Sequence, residues 1–385
     1  MISFYNKISP ELLQVSSLRF DDCTSECIVY ARNYTKLKRA IIANYKDFTE
    51  YPFINAFGIK LTNKQIISMA KTNIVSFITN HPKVSTQIDV AKKILDVQPF
   101  YMQKDFGDSA SIAIIDTGIN PHLDFCLGKN RIIKFVDLIN NKSEPYDDNG
   151  HGTFVASIAC GSGVVSNKKY SGVAPKSNII SIKALEKNGE TGAYKILEAM
   201  QWVYDNYKKY NIRVVCMSFG SSPLDKNDPL VIGAETLWNL GIVVVAAAGN
   251  SGPEKSTIKS PGISSKIITV GGLNDKRDDE GHFDDKLFEV ASFSSRGPVY
   301  PYFKPDLIAP AVNITGADFD KFYTKMSGTS VATPMIAGAC LLIISKYPQI
   351  TPDQLKVKLL RNCKKISSNY NDDGFGLANF SNFFK

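Results

Sequence analysis

From about residue 90 onward, the chain alternates short apolar runs with segments of helical periodicity. The runs fall at residues 111–115, 179–183, 214–217, 242–247 and 266–270, and helices are expected at 151–159, 193–207, 229–240 and 329–346. Strands this short and this uniformly apolar need cover on both faces. That predicts an α/β fold, a three-layer α/β/α sandwich around a mostly parallel central sheet. The first part of the chain reads differently. Residues 26–31 have a strand pattern, 34–45 place Leu37, Ile41 and Ile42 at helical spacing, and 53–61 alternate. Thr62 and Asn63 can cap a second helix running to 69, and 75–79 close a β-α-β-α-β order. A small α+β domain is therefore expected over residues 1–85, with a polar, Pro-containing linker to about 89 and a larger domain over 90–385. There is no internal repeat.

Composition narrows the picture only slightly. The chain has 385 residues, enough for two domains, and is 44% hydrophobic and 21% charged. Its net charge of +8 is spread thinly, without a block of like charges, so no nucleic-acid partner is expected. The apolar stretches 242–248 and 339–344 are too short to predict a membrane span. Residues 1–10 lack the basic start and apolar run of an export signal. The seven cysteines are odd in number and scattered; Cys23 and Cys27 have no second Cys or His pair to complete a zinc site. Free thiols in a reducing compartment are the simpler reading, which predicts a cytoplasmic protein unless it is exported by a route not visible in the sequence.

Three motifs carry candidate chemistry. The run at 112–115 stops at Asp116-Thr-Gly118, placing a carboxylate at the carboxyl end of a buried strand, where open α/β sheets hold ligands. His151 stands in Asn149-Gly-His-Gly-Thr153 and opens a helix. Ser330 stands in Ser327-Gly-Thr-Ser-Val-Ala-Thr-Pro334 at the start of a strongly apolar helix, whose N-terminal N–H groups favour a developing oxyanion. Pro334 is expected in the first turn, where its missing N–H costs nothing. Taken singly, these are a turn aspartate, a helix-start histidine and a simple N-cap at Ser327 or Thr329. A fourth element, the apolar run 243–248 ending in Gly249-Asn250, puts a side-chain amide donor at the same sheet edge. Asp147-Asp148 and Asp278-Asp279-Glu280 read as solvated loops.

The order Asp116, His151, Ser330 and its Gly-flanked settings resemble the subtilisin family of serine proteases, over roughly residue 90 to the C-terminus. Gly172-Val-Ala-Pro175, Met217-Ser-Phe-Gly220, the segment 290–297 and Lys304-Pro-Asp-Leu-Ile-Ala-Pro310 extend the match. The resemblance implies a serine endopeptidase acting on polypeptide substrates through an acyl-enzyme. In it, Asp116 orients the imidazole, His151 is base and then acid, Ser330 is the nucleophile, and Asn250 serves the oxyanion hole. It further implies that an extended peptide pairs with Glu190-Thr191-Gly192 and Ser218-Phe219-Gly220, with Ala247-Ala248-Gly249 lining the first specificity pocket. Phe219 keeps an apolar wall there, predicting acceptance of apolar or aromatic side chains. The small N-terminal domain resembles the family's propeptide, an intramolecular inhibitor removed by self-cleavage from a zymogen.

Departures from the family pattern are Val331 after the nucleophile, where many relatives have Met, and Met335-Ile336 after the proline. The resemblance allows calcium, but the short basic loop 161–172 offers no assignable site. Two alternatives stay open at this level: a catalytically silent peptide-binding or regulatory relative, and a protease dedicated to one precursor.

Overall fold

The computed structural model describes residues 4–9, 12, 24–80, 90–223, 227–278, 280–320, 322–381 and 383. It divides into two compact units, residues 1–86 and 87–385.

The first unit is a four-stranded antiparallel sheet in the order β2-β3-β1-β4, formed by β1 (Thr24–Ala31), β2 (Phe48–Tyr51), β3 (Ala56–Thr62) and β4 (Val75–Asn80). The register pairs Cys27 with Ile59 and Val29 with Phe57, so the buried residues of β1 and β3 share one face. Helices Tyr34–Asn44 and Asn63–Lys71 cover that face through Leu37, Ile41, Ile66 and Ala70. The Thr62 cap forms as expected, as a reciprocal capping box with Gln65. The expected strand over 53–61 is corrected. Pro52 cannot donate to a ladder, so a turn of 3₁₀ helix (Pro52–Ile54) interrupts it, and Asn55 in the left-handed region (φ 52°) turns the chain back. The segment before the proline becomes β2, giving β-α-β-β-α-β.

The second unit is built on an eight-stranded sheet ordered β11-β10-β9-β8-β5-β7-β6, with β12 added against β10. Its strands are β5 (Ser111–Asp116), β6 (Ile132–Asp137), β7 (Asn178–Lys183), β8 (Ile212–Met217), β9 (Val243–Ala247), β10 (Ile268–Asn274), β11 (Glu289–Val290) and β12 (Leu307–Pro310). Every pair is parallel except β10 with β11. Helices lie on both sides of this sheet, the three-layer arrangement expected from the sequence. β5 and β9 are buried at every position. After β5 the chain goes to one side for β6 and β7, then crosses to the other for β8. This switch opens a crevice at the carboxyl ends of the strands. A hairpin of β13 (Ile314–Ala317) and β14 (Tyr323–Met326) lies outside the sheet.

Helix His151–Cys160 packs beside helix Thr329–Lys346. Eight residues into each helix from His151 and Ser330, the backbones meet: a Cβ added at Gly338 would stand 2.9 Å from the Ala159 carbonyl oxygen. Helix Thr329–Lys346 is long and apolar enough to cross a membrane, yet 83% of that window is buried within the protein, as befits a core helix. It also corrects the placement of Pro334. The helix starts at Thr329, so the proline falls in the second turn and leaves the Ser330 carbonyl without an intrahelical donor.

Candidate active site

Asp116 ends the central strand, buried to 1% exposure, and its Oδ1 lies 2.7 Å from His151 Nδ1. The same oxygen accepts from the Thr117 N–H at 2.8 Å. The imidazole keeps 26% of its side-chain surface exposed, so it faces the crevice while its Nδ1 is covered. Burial disfavours its charge, but the charge of Asp116 and its hydrogen bond outweigh that, and the His151 pKa is raised. Close approach of the two chain segments depends on Gly152, where a Cβ would stand 2.2 Å from the Gly118 carbonyl oxygen and 3.2 Å from Asp116 Cβ.

The turn carrying His151 is organised by a residue whose role the sequence did not reveal. Asp147, read as part of a solvated loop, is 6% exposed. Its Oδ1 accepts from Thr117 Oγ1 (2.9 Å), Asn149 N (3.1 Å) and Gly150 N (2.8 Å), and its Oδ2 from Thr153 N (2.8 Å) and Oγ1 (2.7 Å). Thr117 Oγ1 in turn accepts from Gly152 N, and Asn149 Oδ1 from His151 N. The first-turn N–H groups of the histidine helix thus find side-chain oxygens. Asp148 is no free loop residue either. It pairs at 2.7 Å with the buried ammonium of Lys183, which also donates to the Thr117 carbonyl. Asp279 lies outside the described residues.

Burial opposes ionisation of Asp147, yet the donors around it hold its pKa below the usual carboxylate value. Because the folded pKa is depressed, this stabilisation is present above the unfolded pKa of about 3.9 and is lost as pH falls through the lower folded value. Asp147→Asn in a Ser330→Ala background is expected to lose about 2–4 kcal/mol of unfolding free energy at neutral pH, with the difference shrinking in acid. Urea titrations across pH measure this, and a loss below about 0.5 kcal/mol would contradict it.

Ser330 is half-buried in the first turn of its helix, and Gly328 at the N-cap has φ 153°. A Cβ there would stand 3.1 Å from Ser330 Oγ and 3.2 Å from Asn250 Nδ2, so the hydroxyl and the amide border the same small space. Asn250 is oriented by Thr329, whose N–H and Oγ1 both donate to Asn250 Oδ1 at 2.9 Å. That leaves the Nδ2 hydrogens facing outward. Thr329 Oγ1 also accepts from Gly249 N at 3.2 Å. Thr329 therefore ties the Asn250 segment to the serine helix, a positioning role the sequence gave no sign of. No hydrogen bond joins His151 to Ser330 among the described contacts; such bonds commonly tighten only when substrate is present.

Of the predicted peptide-binding residues, Glu190, Thr191, Phe219 and Gly220 come together around a cleft of about 310 Å³, floored by Ile196 and Leu230. Gly192 stands beside it as the N-cap of helix Ala193–Asn206, and Ser218 is buried at the end of β8. Ala247, Ala248 and Gly249 form a buried wall at the end of β9. Among the described residues, no group of three or more His, Cys, Asp or Glu side chains could hold a metal ion.

Comparison with known proteins places this architecture. Residues 107–377 match the Subtilase family. The serine protease AprX of Bacillus subtilis (strain 168) is 44% identical over 279 residues, covering 66% of this chain and 61% of AprX, so the match spans about three fifths of that relative. The minor extracellular protease Epr of the same strain is 30% identical over 271 residues, 70% of this chain and 37% of Epr. The crystal structure of a cold adapted subtilisin-like serine proteinase superposes with a TM-score of 0.57 at 28% identity, covering 71% of this chain and 88% of that one.

The expected cytoplasmic location is contradicted by the relatives, one of which is named for its extracellular location. The thiols that suggested a reducing compartment do not report one. Cys27, Cys160, Cys216 and Cys340 are buried in the cores, and burial above all, with the nearby Asp116 charge, pushes the Cys216 thiol up to about 12 against a hydrogen bond with Ser218. Cys23 lies outside the described residues. Family match, fold and site geometry agree: the chain belongs to the subtilase family of serine proteases.

Proposed function

We propose that this chain is a serine endopeptidase in which Ser330, His151 and Asp116 form the catalytic triad and Asn250 completes the oxyanion hole. The observation that carries this reading is the 2.7 Å contact of His151 Nδ1 with the buried Asp116 carboxylate, formed at the same crevice as Ser330 and the outward-facing Asn250 amide. Ser330 Oγ attacks the scissile carbonyl carbon as its proton passes to His151 Nε2. Asp116 stabilises the imidazolium. The tetrahedral oxyanion takes hydrogen bonds from the Ser330 N–H and Asn250 Nδ2. His151 then protonates the departing amine nitrogen and the C–N bond breaks. A water attacks the remaining ester, giving its proton to His151, which returns one to Ser330 Oγ as the acid product leaves.

The peptide runs extended, its backbone pairing with Glu190-Thr191-Gly192 on one side and Ser218-Phe219-Gly220 on the other. The cleft over Ile196, Phe219 and Leu230 receives one of its apolar side chains.

The N-terminal unit acts as an intramolecular inhibitor that the protease cuts from itself. Its separate core, closed by its own two helices, supports this reading. Intact mass measurement of the purified protein tests it. Wild type is expected to lose about the first 80–90 residues while Ser330→Ala stays whole; an active wild type that remains full length would rule self-processing out.

A further inference from the structure

We propose that Lys259 makes the first specificity pocket selective for an acidic side chain, Asp or Glu, on the residue whose carbonyl Ser330 attacks. The inference rests on the protease reading above and replaces the apolar preference expected from Phe219.

The two walls of that pocket are the segments 218–220 and 247–249, and a third segment threads between them. Ser221 and Ser260 exchange both backbone hydrogen bonds at 3.0 Å, and Lys259 N donates to the Ala248 carbonyl at 2.9 Å. Residue 259 is thereby pinned to both walls through its backbone neighbours. Its side chain lies along them. A Cβ built on Gly220 would stand 2.5 Å from Lys259 Cβ, and one built on Gly249 would stand 2.4 Å from Lys259 Cγ. The smooth glycine surfaces that would otherwise flank a flat apolar side chain are occupied by the methylene stem of a lysine.

The wall is also adjacent to the chemistry. Gly249 precedes the Asn250 amide and is tied to Thr329, the residue before Ser330. A side chain entering this pocket belongs to the residue at the scissile carbonyl.

Lys259 is half-buried, and among the described residues no hydrogen bond or ion pair engages its ammonium. Elsewhere in this unit, lysines with a buried ammonium have an anion: Lys183 has Asp148, and Lys304 and Lys356 have Asp306. A cation whose stem is packed while its head lacks a counter-charge favours a carboxylate brought by the ligand. It disfavours an uncharged apolar side chain, which would have to strip water from the ammonium without replacing it, and it repels lysine and arginine. Acid selectivity of this kind is electrostatic and weakens with salt.

The test uses the full chain after self-processing and a set of internally quenched peptides identical except for Glu, Asp, Gln, Leu, Phe or Lys at that one residue. The expected result is that kcat/KM for the Glu or Asp peptide exceeds that for Gln by about tenfold or more, with the ratio falling as salt rises. Lys259→Met should reverse the order, placing Leu above Glu, and Lys259→Glu should favour the Lys peptide. Labelling of Ser330 by a fluorophosphonate in each variant confirms a folded site. Labelled wild type that cuts Leu or Phe peptides fastest, with Glu and Gln equal, overturns the inference alone. So does an acid preference that survives in Lys259→Met. No cleavage of any peptide and no labelling of Ser330 overturns the protease reading and this inference together.

Discussion

Ser330→Ala is expected to lower kcat for peptide hydrolysis by about 10⁶, the loss known for subtilisin, a relative from which the magnitude is carried over. The physical basis lies in what the substitution removes and what it leaves. Only Oγ is lost. The helix start is kept by the two Thr329 bonds to Asn250 and by the Gly328 N–H bond to the Ala311 carbonyl, so the backbone donors and the Asn250 amide stay in place. Those donors still stabilise an oxyanion formed by direct attack of water, and a residual rate of about 10³–10⁴ over the uncatalysed reaction remains. Steady-state rates on one quenched peptide, with the N-terminal unit supplied already removed, measure the loss. A fall of less than about a hundredfold would mean that another group is the nucleophile.

Asp116→Asn is expected to lower kcat by about 10⁴ at neutral pH while leaving the fold intact. Asp116 Oδ1 accepts from His151 Nδ1 at 2.7 Å and so holds the proton on that nitrogen, freeing Nε2 to take the serine proton. An asparagine amide turned toward Nδ1 donates instead, which fixes the proton on Nε2 and removes the base. The charge has a second effect. Asp116 raises the His151 pKa against the opposing effect of burial, and only the neutral imidazole can accept a proton from Ser330. Activity therefore rises as pH climbs through that pKa. In Asp116→Asn the residual activity should show its acid limb at lower pH than wild type. A pH–kcat/KM profile for both proteins checks the direction; an unchanged limb would mean that His151 does not titrate under the influence of Asp116.

How much of this was legible in the sequence depended on the kind of force involved. Helix Thr329–Lys346 was readable end to end because the run from Val331 to Ile344 is buried throughout and, Thr333 apart, apolar. The Thr62–Gln65 cap was half visible for a similar reason, since it needs only residues three apart. Strand β6 was missed because Lys134 and the exposed Ile133 dilute its apolar pattern at the sheet edge. Strand β2 was missed because it is only four residues long and ends at Pro52, and the 3₁₀ turn that follows delays β3 to Ala56.

At the candidate site, the four residues proposed to carry the chemistry stand in glycine-flanked motifs that can be read from the sequence. Their supports could not be read in that way. Asp147 looked like a solvated acid because the donors that bury it, from Thr117 to Thr153, converge only after β5 and the histidine helix are assembled. Lys259 sits in an aperiodic stretch, and its significance comes from contact with Gly220 and Gly249, segments that the parallel sheet brings together. Thr329 was visible as a possible cap, but it holds Asn250 from 79 residues away in the chain.

The central claim, that Ser330 is a nucleophile activated by His151 and Asp116, is tested most directly by a fluorophosphonate that phosphonylates activated serines. Treated protein is digested and its peptides are mapped by mass spectrometry. The account predicts one adduct, on Ser330, formed rapidly in wild type and at a greatly reduced rate in His151→Ala and Asp116→Asn. An adduct on another serine, or labelling of Ser330 that proceeds equally fast without His151, would contradict it.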